Sequence, residues 1–202
     1  MSRLSGAQWW ACVGLILGLP TLLAHDATWA LHPSQGLHQN PLNFWTCAWV
    51  HANARHLLVN LGALSLMIVL GWACQLPGTG ALAWFLAWPL THLALLLDPR
   101  LDHYFGMSGV LHAGIAVIAV HLIVQPRQPH PPGRISGPLI GWAVLGGVLL
   151  KCALENPTLK PLVFRSDLAM NVAPLSHLAG TLVGALVATA LLNRHRRAQS
   201  PP

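Results

Sequence analysis

Apolar runs long enough to cross a lipid bilayer alternate with short polar connectors along most of this chain. A membrane-crossing helix needs about 20 predominantly apolar residues. Six segments approach that length, at residues 8–24, 56–75, 79–97, 106–124, 137–154 and 174–192. Several are interrupted by Gly, Pro, Ser or His, which spans tolerate where those positions face neighbouring helices or a wet cavity. The pattern predicts an all-α, polytopic membrane protein. It has six transmembrane helices in a single membrane domain covering residues 1–202, with a basic tail at 193–202.

Composition narrows the class. The 202-residue chain is 54% hydrophobic and only 8% charged, whereas about a quarter of a soluble domain is charged. Soluble enzymes and nucleic-acid binders are therefore excluded, although the net charge is +6. Membrane lipids are expected partners, and nucleic acid is not. The four cysteines, Cys12, Cys47, Cys74 and Cys152, have no metal-ligand spacing, so neither metal nor cofactor is expected.

Charge also suggests an orientation. With six spans both termini share a side, which receives Arg3, Arg127, Arg134, Arg194, Arg196 and Arg197. The other side receives Arg55, Arg100, Lys151, Lys160 and Arg165 together with all five acids. The positive-inside rule makes the first side cytoplasmic, by a narrow margin. The first segment also fits a signal peptide, since "MSR" precedes it and "ATWA" resembles a cleavage site. Its apolar run is longer than most signal cores, which favours a span.

The connectors are short except at residues 25–55 and 155–173, both on the outer side, and in the Pro-rich "QPRQPHPPGR", read as a polyproline-like spacer. The first outer loop carries Phe44, Trp45 and Trp49, a mixture suited to the headgroup zone. The tail "NRHRRAQSPP" suits anionic lipid. No internal repeat is present to suggest a transporter built from inverted halves.

Three polar clusters lie inside the apolar segments, where polar side chains are costly and mark functional sites by default. His56 and Asn60 are four apart, on one face of the second segment. Gly106, Ser108, Gly109 and His112 open the fourth, and His177, Gly180 and Gly184 open the sixth. All three segments run from outside to inside, so the clusters converge at one depth beneath the outer surface. A serine, a base and hydrogen-bond donors at one level make a hydrolytic site. Ser108 is the nucleophile and His177 the base that takes its proton. Asn60, His56 and the Ser108 amide at a helix start supply the oxyanion donors. Gly109 and the Gly180-x-x-x-Gly184 pair let the two helices approach.

These motifs resemble the rhomboid intramembrane serine proteases, in which one span carries H-x-x-x-N, another G-x-S-G and the last a histidine followed by small residues. The resemblance covers residues 46–186 and includes Thr46 and His51 before the second span. It implies the six-transmembrane-helix rhomboid fold and a Ser-His dyad without a third, acidic member to orient the histidine, so turnover should be slow. "GMSGVLHAG", with Lys151 and Glu155, is most similar to the rhombosortase subfamily. That likeness implies transmembrane substrates with a C-terminal Gly-Gly anchor helix, cut at the periplasmic face of a bacterial inner membrane. Two departures stand out. The first loop lacks the Trp-Arg pair of many rhomboids, and His112 replaces a tyrosine expected to stack on the catalytic imidazole.

Other readings compete. His112 sits one turn after Ser108 and is the rival base, although a same-helix pair is poorly aimed to pass a proton to a leaving nitrogen. Lys151 and Glu155 form most simply an i, i+4 pair at the outer interface. A catalytically inactive relative that binds membrane clients is the alternative function. A proton-coupled channel would need a polar path across the whole bilayer, and these clusters stop within two turns of one face.

Overall fold

The structure, a computed structural model, describes residues 4–23, 26–125 and 135–199, with side chains as far as Asn193. Arg3, the Pro-rich linker from Pro126 onward and the arginine side chains of the tail lie outside the described residues.

Seven α-helices and one small hairpin make up the described chain. Helix α1 (Gly6–Gly18) starts at a reciprocal cap between Ser5 and Gln8 and runs into a 3-10 turn at Leu19–Leu22. The long connection before the next helix contains the single turn α2 (Asn43–Thr46). Then follow α3 (Ala54–Ala73), α4 (Gly78–Ala94), α5 (Ser108–Val124), α6 (Pro138–Leu154) and α7 (Pro174–Gln199). Three 20-residue stretches, Ala54–Ala73, Gly78–Leu97 and Pro174–Asn193, are long and apolar enough to cross a membrane, and Gly6–Leu22, Ser108–Val124 and Pro138–Leu154 are shorter apolar helices. Large apolar side chains such as Leu58, Leu66, Val69, Leu139, Trp142 and Leu150 face outward, as an integral membrane protein requires. A water-soluble monomer rarely exposes so continuous an apolar surface.

Helix ends depart from the apolar pattern for local reasons. Asn53 caps α3 by accepting from the His56 amide, so the helix begins at Ala54. Gly106 has φ +108°, outside the helical region, so α5 begins only at Ser108. Helix α7 runs on to Gln199, through residues that the charges mark as tail; Arg, Ala and Gln are good helix formers. In the connection between α6 and α7, β1 (Val163–Arg165) pairs antiparallel with β2 (Met170–Val172), a hairpin that the apolar pattern does not predict.

Helix α5 is central. Twelve of its residues, from Gly109 to Leu122, are buried on all sides, as expected of a helix apolar all round. It packs most extensively against α7, because both lack side chains at the crossing. A Cβ on Gly180 would overlap the Gly109 carbonyl oxygen, and one on Gly184 the carbonyl of Ala113. Two indoles lock the other side. Trp10 stacks on Trp84 at 4.2 Å, while their N–H groups donate to the carbonyls of Met67 and Val110. The connection between α1 and α3 lies against α4 and α1. Trp45 packs on Phe85 and Trp88, and the Trp49 N–H donates to Ile16 O.

Candidate active site

The approach to Ser108 is pinned by backbone. Leu31 and Tyr104 exchange hydrogen bonds, the Gly106 amide donates to Cys47 O, and the Tyr104 hydroxyl donates to Gly106 O at 2.9 Å. Tyr104 is the chain's single tyrosine. Its burial pushes the phenol up to about 12, so it remains a donor. Gly106 is required twice over: φ is positive, and a Cβ would lie 2.7 Å from Cε1 of His56.

From this turn the Ser108 side chain faces α7. Its Oγ lies 3.1 Å from Nε2 of His177, and the other imidazole nitrogen, Nδ1, lies 2.7 Å from Oε2 of Glu155. A carboxylate only accepts, which assigns the proton to Nδ1 and leaves Nε2 free to accept the serine proton. The expectation of a histidine without an acidic partner is therefore corrected. Glu155, the chain's single glutamate, caps the end of α6 and reaches His177 as well as Lys151.

His112 stacks on His177 with ring centroids 4.2 Å apart and planes 14° from parallel. Its Nδ1 lies 2.7 Å from the Ser108 carbonyl oxygen, a bond that requires the proton on Nδ1. Its Nε2 therefore accepts from Lys151 Nζ at 2.9 Å. Both nitrogens of His112 are thus occupied, neither by the serine hydroxyl.

Lys151 Nζ also lies 3.0 Å from Nδ1 of His177 and 3.0 Å from Oε1 of Glu155. With the Nδ1 proton directed at Glu155, the ammonium is adjacent to that nitrogen without donating to it, and its bonds go to the carboxylate and to His112. Glu155 lies just outside its helix. Burial would raise its carboxyl, but the hydrogen bonds and charges of His177 and Lys151 prevail and hold it at about 2.

Two cavities meet at the serine. One of about 330 Å³ is lined by His56, Asn60, Ser108, His112, Lys151, Glu155 and His177; the other, of about 200 Å³, by Ala52, His56, Tyr104, Ser108 and Met170. Nδ2 of Asn60 and Nδ1 of His56 are buried without a hydrogen-bond partner among the described residues. A buried donor left unsatisfied costs about 1–3 kcal/mol, so the Asn60 amide calls for an acceptor that the described residues do not supply, while His56 Nδ1 is donor or acceptor according to its tautomer. His51 lies behind, its ring 4.8 Å from that of His56 and its Nδ1 3.1 Å from Trp49 O. The hairpin covers this side: Asn53 Nδ2 donates to Leu168 O and Arg55 to Asp167 O.

The three sequence clusters thus occupy one pocket. Gly109 and Gly180 meet at the α5–α7 crossing, with Gly184 one turn deeper against Ala113. Residue patterns alone missed Tyr104, Glu155 as a neighbour of His177, and the hairpin. For Glu155 the available signal is a lone acid at the outer end of a span, beside the predicted level of His177.

The Rhomboid domain model matches residues 38–194. The chain belongs to the rhomboid family, whose members include serine proteases acting on transmembrane proteins. No curated protein and no solved structure matches it.

Proposed function

We propose that this protein is an intramembrane serine endopeptidase with Ser108 as nucleophile and His177 as general base. The reading rests above all on the 3.1 Å approach of Ser108 Oγ to His177 Nε2, made between two helices and beside a cavity. Ser108 Oγ attacks a peptide carbonyl while its proton passes to Nε2. The new oxyanion is held by Asn60, His56 and the Ser108 amide, which has no intrahelical partner at the first residue of α5. His177 returns the proton to the leaving nitrogen as the C–N bond breaks, giving an acyl-enzyme. A water deprotonated by His177 then releases it. A peptide bond inside a regular helix is shielded, so the substrate helix unwinds locally near small or helix-breaking residues.

The finer assignment follows the rhombosortase likeness of "GMSGVLHAG". Substrates carry a C-terminal Gly-Gly anchor and are cut near the periplasmic face of a bacterial inner membrane. With six spans in one membrane domain both termini share a side, and the arginines of that side support its assignment as cytoplasmic. The test is co-expression with a tagged Gly-Gly client, comparing wild type with Ser108→Ala, His177→Ala and His112→Ala. Loss of cleavage in the first two supports the mechanism. Cleavage by Ser108→Ala overturns it in favour of a client-binding relative, and a dead His112→Ala beside an active His177→Ala reassigns the base.

A further inference from the structure

The contacts around Ser108 close into a ring drawn from three helices. The Ser108 hydroxyl donates to His177 Nε2, and His177 Nδ1 donates to Glu155. Glu155 accepts from Lys151, Lys151 donates to His112 Nε2, and His112 Nδ1 donates to the Ser108 carbonyl. The circuit begins at the side chain of Ser108 and ends at its backbone.

We infer that Glu155 is a positioning residue that completes a Ser-His-Glu arrangement, held in place by Lys151. The inference rests on the catalytic reading above and adds a third member to it. Three observations carry it. The 2.7 Å contact is to Nδ1, the nitrogen opposite the serine, so it fixes the tautomer with Nε2 unprotonated. Glu155 lies at the end of α6, beyond its last helical residue, where the backbone can direct its side chain toward α7. Its carboxylate is also occupied on both oxygens, Oε1 by Lys151 and Oε2 by His177, which restrains its rotation.

The charges oppose one another usefully. When His177 accepts the serine proton it becomes cationic beside the Lys151 ammonium, a repulsive pair. The Glu155 carboxylate touches both, 2.7 Å from His177 Nδ1 and 3.0 Å from Lys151 Nζ, and compensates both charges. Without it the imidazolium formed during attack would face an uncompensated cation 3.0 Å away. Lys151 in turn spans from Glu155 to His112, so α6 is tied to α5 as well as to α7 by side chains at the level of the serine. Of the α6 residues only Gly141 and Cys152 are buried, Gly141 packing against Ala119 and Ile123 of α5.

The inference separates from a merely structural role by its kinetic signature. A group that orients the base and stabilises its charged form acts on the transition state, so its removal lowers kcat and leaves KM alone. The experiment uses the full-length protein in detergent with a fluorogenic transmembrane substrate, measuring kcat and KM for wild type, Ser108→Ala, Glu155→Gln, Glu155→Asp and Lys151→Met. Glu155→Gln is expected to lose about 10²-fold to 10⁴-fold in kcat, the upper figure being the scale seen when the acid of a triad is neutralised, with KM within about threefold. Glu155→Asp, which keeps the charge one carbon short, recovers part of the loss. Lys151→Met loses about tenfold, since His177 still has its carboxylate.

The inference is overturned if Ser108→Ala is inactive while Glu155→Gln keeps wild-type kcat. It is overturned equally if Glu155→Gln raises KM alone, or if Lys151→Met is inactive beside an active Glu155→Gln. An active Ser108→Ala would instead remove the catalytic reading itself, so the two failures are distinct. Thermal unfolding of each variant guards against a folding defect. If Glu155→Gln unfolds early, the kcat of the Glu155→Asp variant decides: recovery supports the inference, and inactivity at wild-type stability overturns it.

Discussion

Gly180→Ala adds one methyl group at the tightest crossing in the molecule. A Cβ there would overlap the Gly109 carbonyl oxygen and lie 2.9 Å from its carbon and 3.2 Å from Ala113 N. Ordinary van der Waals contact to that carbon needs about 3.4 Å or more, so α7 must withdraw from α5 by at least about 0.5 Å, and by about 1 Å to clear the oxygen. His177 sits one turn earlier on α7. Its Nε2, now 3.1 Å from Ser108 Oγ, would then lie beyond about 3.5 Å, outside hydrogen-bond range. Overpacking of this kind costs about 1–3 kcal/mol of stability, and misplacing a catalytic group by about 1 Å costs on the order of 10²-fold in rate. The control is Gly147→Ala on α6, where a Cβ meets nothing within 4 Å. That change should leave cleavage intact and stabilise its helix by up to about 1 kcal/mol. The assay is client cleavage per folded protein, with thermal unfolding measured in parallel. A Gly180→Ala protein that cuts and melts like wild type would refute the account of the α5–α7 crossing.

If the unpaired Nδ2 of Asn60 serves the proposed oxyanion, Asn60→Ala should lower kcat on the order of 10²-fold with little change in KM; a change confined to KM would argue against the oxyanion role. Gly106→Ala places a Cβ against the His56 ring at a positive φ, so it should abolish cleavage and destabilise the fold by about 1–3 kcal/mol, read by thermal unfolding. Glu155 is held at about 2 against an ordinary 4.5. Its folded value is the lower one, so its contribution to stability is complete above about pH 4.5 and is lost as pH falls toward 2. The melting-temperature gap between wild type and Glu155→Gln should therefore be constant from pH 5 to 8 and shrink below that. A gap that widens on acidification would contradict the assignment.

Much of this architecture is legible in the apolar pattern because each run both forms a helix and finds its solvent in the bilayer. The serine pocket is legible for a related reason. Polar residues are so costly at depth that Asn60, Ser108 and His177 stand out, and the alternating direction of successive spans sets them at one level. Glu155 was harder. Its spacing from Lys151 gives the local pair, which exists, but spacing carries no information about how α6 is rotated toward α7. The hairpin is obscure because Val163–Val172 is short and mixed, and its turn is held by contacts from Asn53 and Arg55 more than 100 residues earlier to Leu168 and Asp167. At the other end of the chain, charge marks where the apolar span stops, while α7 itself continues as helix to Gln199.

The central claim is that His177 activates the Ser108 hydroxyl. The direct measurement is mass-spectrometric mapping of a fluorophosphonate adduct on the purified protein. Attachment at Ser108 that persists in His112→Ala and disappears in His177→Ala is the predicted result. An unlabelled Ser108 in folded wild-type protein, or labelling that survives loss of His177 unchanged, would contradict it.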